Sequence, residues 1–210
     1  MEIEDFEAML IPQDEPSRDY VRISPAYLAI WELNRLAEVI TLVGEDQRRW
    51  IDCIRALHLA LVSALTEALS GSANIGALEP KKRGRAIDAL NSGKLEDIPD
   101  GPIMNLADLM NTARSDEGFP WDDRLRLSVH EEEAFDCLVE LRNAIDHPKA
   151  TLRSEPVSNF ALVVQGVTPI VLRVLAAVWH RYESDDLERT KEQVDAILET
   201  ATEVLDSYRE

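Results

Sequence analysis

Cysteine is scarce in this chain: Cys53 and Cys137 are the only two in 210 residues. Two isolated cysteines make neither a zinc-binding spacing nor a disulfide framework, so a reducing, cytoplasmic setting is expected. Bases are few as well. Twenty-two Lys and Arg face 40 Asp and Glu, and the formal net charge of −18 argues against indiscriminate binding to phosphate backbones. Any contact with nucleic acid therefore needs a local basic surface. Glycine numbers only eight; the pair Gly71/Gly76 lacks the Lys-Ser/Thr of a phosphate-binding loop, and no glycine triplet follows a strand. Long hydrophobic runs are also missing. The most apolar stretch, residues 160–179, is interrupted by Gln165, Gly166, Pro169 and Arg173, and reads as a buried segment rather than a membrane span. The first ten residues, MEIEDFEAML, are acidic where an export signal starts basic.

The four histidines exclude further chemistry. His130-Glu131 has no second His at the zinc-protease spacing, because position 134 is Ala. No Glu stands three residues before His58, His130, His147 or His180, so the carboxylate-bridged metal pattern of helix bundles is absent. There is no Gly-x-Ser-x-Gly elbow either. No metal and no cofactor is expected.

What is present is a helical pattern. Hydrophobic residues make up 45% of the chain, enough for one large domain with a sizeable core. Residues 1–23 read as an acidic arm, with Ile3, Phe6 and Met9/Leu10 at helical spacing. Residues 24–182 read as the main domain. Ser24-Pro25 predicts a helix start, with Leu28, Trp31, Leu36 and Val39 on its face and an end at Gly44. A central helix is expected from about Asp46 to Ser70, with Trp50, Ile54, Leu57, Leu61, Leu65 and Ala68 on one side. Residues 72–128 form an elaborated connection, with short helices at 83–90 and 104–113 and a turn at 118–121. Ser128 and Glu131 have the spacing of a capping box, and Pro148 ends that helix sharply. Residues 149–167 read as irregular, with a short strand at 160–164, and Thr168-Pro169 as the start of the next helix. Residues 183–210 form a last acidic helix, with Leu187, Val194, Leu198, Ala201, Leu205 and Tyr208 near heptad spacing. It either folds onto its own domain or makes a dimer seam. The two ends carry most of the charge, −6 over residues 1–19 and −7 over 183–210, against −5 between them. The expectation is an all-α up-and-down bundle.

The end of the Ser128 helix, Leu141-Arg142-Asn143-Ala144-Ile145-Asp146-His147-Pro148, concentrates the chemistry. Ala134, Leu138, Leu141 and Ile145 form its apolar stripe, and Asn143 and His147 point away from it. They are four apart, so the amide can orient the imidazole, while Arg142 sits beside the stripe. An imidazole at a helix C-terminus with an arginine nearby suits a group that switches between acid and base. The same residues also read as an Arg142–Asp146 surface ion pair with His147 as a polar C-cap. Both readings stand on the residues alone. His58 flanks the apolar face of the central helix and reads as a core histidine; His130 and His180 read as solvated or helix-end residues. The tryptophans read as packing residues.

Arg142-Asn143-x-x-x-His147, closing a long amphipathic helix in an all-helical chain, resembles the Arg-x(4–6)-His motif of the HEPN superfamily. The resemblance covers roughly residues 25–182. It implies a helical-bundle homodimer whose two motifs meet in a cleft. Many such proteins are metal-independent endoribonucleases acting as toxins or in phage defence, and others are non-catalytic binding or scaffold modules. On this resemblance Arg142 and His147 are catalytic and Asn143 orients. Cleavage at a ribose 2′-hydroxyl needs a base, an acid and charge stabilisation, which paired His147 and Arg142 residues would supply. Outward-facing Val139 would meet the partner. Lys149 and Arg153, with Lys81, Lys82, Arg83 and Arg85, are the candidate RNA-binding residues; the latter four also read as a solvated loop. A protein antitoxin or regulatory partner is expected, and no membrane. Asp136, Glu140 and Asp146 oppose RNA binding unless neutralised.

Overall fold

A computed structural model describes residues 24–70, 75–94, 97–99, 101–115, 124–147, 154–178 and 184–207. The acidic arm, the 118–121 turn, Lys149, Arg153 and His180 lie outside the described residues. The fold is all-α: seven helices among the described residues, α1 Pro25–Ile40, α2 Arg49–Ser70, α3 Pro80–Asn91, α4 Leu106–Arg114, α5 Val129–Asp146, α6 Val157–Val178 and α7 Ser184–Ser207. The one β pairing in this set is an isolated antiparallel bridge between Leu78 and Ile103.

Helices α1, α2, α6 and α7 contact one another in a closed ring: α1 on α2, α2 on α6, α6 on α7, and α7 back on α1. Helix α5 lies on α2 and α6, and α4 lies on α2. The centre is therefore α2 and α6. On α2, Trp50, Ile54, Leu57, Leu61, Leu65 and Ala68 are all buried, as the sequence pattern predicts. Both α2 and α6 are long and apolar enough to cross a membrane by length and composition, but over half of each such stretch is covered by protein. The Trp50 and Phe160 rings, 6.1 Å apart, join the two helices.

The helix starts follow local chemistry. Ser24 accepts a hydrogen bond from Tyr27 N, and proline occupies the first turn of α1. Ser128 and Glu131 form a reciprocal capping box at α5, satisfying two of the backbone donors a helix start leaves open. The carboxylate of Glu131 also takes Arg173 Nη1 at 2.7 Å, tying α5 to α6. Burial pushes its carboxyl pKa up, but hydrogen bonds from Ser128 and Arg173 outweigh this and hold it below the ordinary value. Gly93 follows α3 with φ +71°, a left-handed position that suits glycine after a helix end.

Two sequence expectations are corrected. First, residues 160–164 are helical, and Thr168-Pro169 lies inside α6 rather than at its start. Proline forfeits one backbone bond, yet Val163, Val164, Val167, Ile170 and Val171 around it are fully buried. That burial continues the helix past the break. Second, α1 ends at Ile40, not Gly44, and faces its neighbours differently. Ala26, Ala29, Leu33, Leu36 and Ile40 are buried, while Trp31 is 62% exposed beside exposed Tyr27 and Leu28. Of the two readings of the last helix, the structure gives the first: α7 folds onto its own domain as a full member of the ring, with Thr190, Val194, Ile197 and Ala201 buried. Gln193 of α7 donates to Asn34 of α1, and Gln165 of α6 donates to Thr202 of α7 at 3.2 Å.

Candidate functional site: the α2–α5 groove

The α5 sequence places its last turn over α2. Its stripe, Ala134, Phe135, Leu138 and Leu141, is buried with Ile145 partly so, which leaves Arg142 at the margin and Asn143 and His147 exposed. His147 is the C-cap residue, and its backbone N–H donates to Asn143 O at 3.0 Å. The Asn143 amide does not hold the His147 ring: its Oδ1 accepts from Arg142 Nη1 at 3.2 Å. Adjacent residues project about 100° apart on a helix, and it is the length of the arginine arm that lets it reach the amide. Asn143 thus steadies the guanidinium.

Asp146 is the hub of this turn. Its Oδ2 lies 3.2 Å from Arg142 Nε, and its Oδ1 accepts from Arg55 Nε of α2 at 3.3 Å. The Arg142 Nε–H is shielded from solvent and not aligned for a hydrogen bond; its link to Asp146 is one of charge. Two guanidiniums thus share one carboxylate across the helix interface. Each group is about a third to a half exposed, so solvent screens the pairs and their stabilisation is modest, within about 1 kcal/mol each.

A groove of about 470 Å³ opens beside this turn, lined by His58 and Val62 of α2, residues 103–107 at the start of α4, and Val139, Arg142 and Asn143 of α5. Val139 is therefore a wall of the chain's own groove and packs against its own core; a partner surface is not needed to cover it. The N-cap of α4 shapes one end: Asn105 Oδ1 accepts from Asp108 N at 3.0 Å. His58, read from the sequence as a core histidine, lines the groove. It is half-buried rather than in the core. Desolvation, with the positive charge of Arg142, lowers its pKa below the ordinary 6.5, and Asp146 only partly offsets this. A neutral imidazole offers one donor and one acceptor. The available signal was the Arg55/His58/Val62 spacing, which sets three residues along one margin of α2.

The basic residues are distributed differently. Lys81, Lys82, Arg83 and Arg85 lie on α3, a helix rather than a loop, with Lys81 and Arg85 exposed. None of the four lines the groove. They are linked to it through the chain: Leu78 pairs with Ile103 at the groove wall, and Glu79 N donates to Pro102 O just before α3 begins. Asp136 and Glu140 are exposed on α5. Among the described residues no group of three or more His, Cys, Asp or Glu gathers as metal ligands. Cys53 is buried, and desolvation with the nearby Asp52 charge pushes its thiol up to about 12, which keeps it protonated and unreactive.

No family model matches the chain, and no curated protein or solved structure matches it.

Proposed function

We propose that this chain is a metal-independent endoribonuclease of HEPN type, working as a homodimer in the cytoplasm as a toxin or phage-defence effector. The observation that carries the reading is the last turn of α5, where Arg142 borders an open groove and His147 stands exposed one turn on. In the reaction, the 2′-hydroxyl loses its proton to one imidazole and its oxygen attacks phosphorus. The 5′-oxygen leaves with a proton from a second imidazolium, giving a 2′,3′-cyclic phosphate and a 5′-hydroxyl. Arg142 offsets the charge that builds on the equatorial oxygens. One protomer brings a single His147, so the mechanism calls for a second copy, and a two-fold axis supplies it. Lys149, Arg153 and the α3 cluster would hold the flanking backbone.

One observation favours a second reading, a non-catalytic binding or scaffold module. Asp146 already balances Arg142 and Arg55, so a catalytic Arg142 must exchange a carboxylate for a phosphate. Incubation with total RNA in EDTA separates the two. On the nuclease reading the wild type cleaves, leaving cyclic phosphate ends, and His147→Ala and Arg142→Ala each lose about 100-fold or more. Equal cleavage by all three proteins, or none by the wild type at high concentration, sinks it in favour of the binding module.

A further inference from the structure

The groove itself has a composition the reaction does not require. Its lining is largely apolar, with Val62, Met104, Leu106 and Val139 among it, and its polar groups are His58, Arg142 and Asn143, with Asn105 at the α4 end. A phosphate is a poor occupant: apolar walls offer it nothing, and the charge of Arg142 is shared with Asp146. The shape and chemistry fit a ring with two apolar faces and an edge that both donates and accepts. A strand joined to that ring would leave the groove past Arg142, which lines it.

We propose that the groove between α2, α4 and α5 takes one unpaired base of the RNA, its faces against Val62, Met104 and Val139 and its edge hydrogen-bonded to His58. The nature of this ligand rests on the nuclease reading above. The sugar–phosphate strand leaving the groove passes Arg142 and runs along the end of α5 to His147. Five residues of helix rise about 7.5 Å, about twice the 3.4 Å step of a stacked strand. A strand engaging both residues therefore spans about two nucleotides there, and an unpaired strand leaves a base free to turn out of the stack. A duplex cannot supply such a base without breaking a pair. His58 suits the role because either of its ring nitrogens can present the donor while the other accepts, matching the mixed edge of a base. The pocket thus makes the enzyme selective for single-stranded RNA and for the identity of one base near the scissile bond.

Fluorescence anisotropy in EDTA tests this with the full-length protein and a 2′-O-methyl RNA decamer, which has no free 2′-hydroxyl and cannot be cleaved. The comparison strands are the same decamer in a duplex and a ten-unit strand of the same backbone without bases. The wild type is expected to bind the single strand at least about tenfold tighter than either, from the apolar surface a captured base buries. Ala107→Trp, which fills the groove from an exposed position of α4, should reduce binding to the base-free level with an unchanged melting curve. His58→Ala should weaken only the base-bearing strand, by about three- to tenfold. Equal affinity for strands with and without bases, indifference to Ala107→Trp, or no binding to any strand overturns the pocket. Because the decamer is uncleavable, binding without any ribonuclease activity removes the nuclease reading and keeps the pocket. Cleavage of natural RNA unaffected by Ala107→Trp does the reverse.

Discussion

At the scale of single residues, the side chain with the most to say is His58. Its neutral form is favoured in the fold by burial and by Arg142, whereas in the unfolded chain it titrates near 6.5. The unfolded state therefore binds the proton more readily as pH falls through that value. Stability associated with His58 is fully present above 6.5 and declines below it, toward the lower folded pKa. Urea unfolding at pH 7.5 and 5.5 should show the midpoint dropping for the wild type. His58→Gln, which cannot take up the proton, should flatten part of that drop; an identical drop in both proteins would show that His58 is not the titrating group. The sequence made Arg142, Asn143 and His147 legible because their spacing lies within one helix turn. It placed His58 and Arg55 on one margin of α2 but not their partners on α5, because Arg55 meets Asp146 across 91 residues, and no local period encodes such a meeting. The orienting role read for Asn143 misdirected for a related reason: the four-residue spacing to His147 is real, but the competing neighbour Arg142 takes the amide.

At the scale of the helix, the contrast between two glycines is instructive. A Cβ on Gly166 of α6 would stand 2.3 Å from the Ala134 Cβ of α5, whereas one on Gly84 of α3 would meet nothing within 4 Å. The first glycine lets two backbones approach, and the second only adds freedom to an open helix. Gly166→Ala should destabilise by about 1–3 kcal/mol, the cost of overpacking a close contact. Gly84→Ala should stabilise by about 0.4–1 kcal/mol through lost unfolded-state entropy. Thermal melts would measure both, and matching signs would refute this account of the α5–α6 contact. The helix starts were readable wherever capping chemistry was local, at Ser24-Pro25 and Ser128/Glu131. They misled at Thr168-Pro169, where the same start signal sits within a helix held on by its buried flanks. The face of α1 misled because large side chains were taken for the core. The buried side of α1 is formed instead by Ala29 and Leu33 among others, and Trp31 is left to solvent.

On the scale of the whole molecule, the ring of α1, α2, α6 and α7 makes the acidic C-terminal segment structural. Removing residues 183–210 would uncover the apolar sides of α1 and α6 that Val194, Ile197 and Ala201 now bury. The shortened chain is expected to lose its cooperative thermal transition and bind a hydrophobic dye. A sharp transition within a few degrees of the full-length protein would show that three helices of the ring suffice. The all-α class and the central position of α2 were legible from periodicity alone. The ring closure was not, since an amphipathic stripe specifies that a helix has a partner without saying which one.

The ring also sets an order of events during synthesis. Every residue lining the groove lies at or before position 143, while the buried side chains of α7 begin at Thr190. The ribosome thus releases all three walls of the groove before the segment that closes the ring exists. Until that segment follows, the side of α1 that α7 covers has no partner. A risk of misassociation through that uncovered side therefore falls late in translation, after the groove walls have been made and before the bundle can shut.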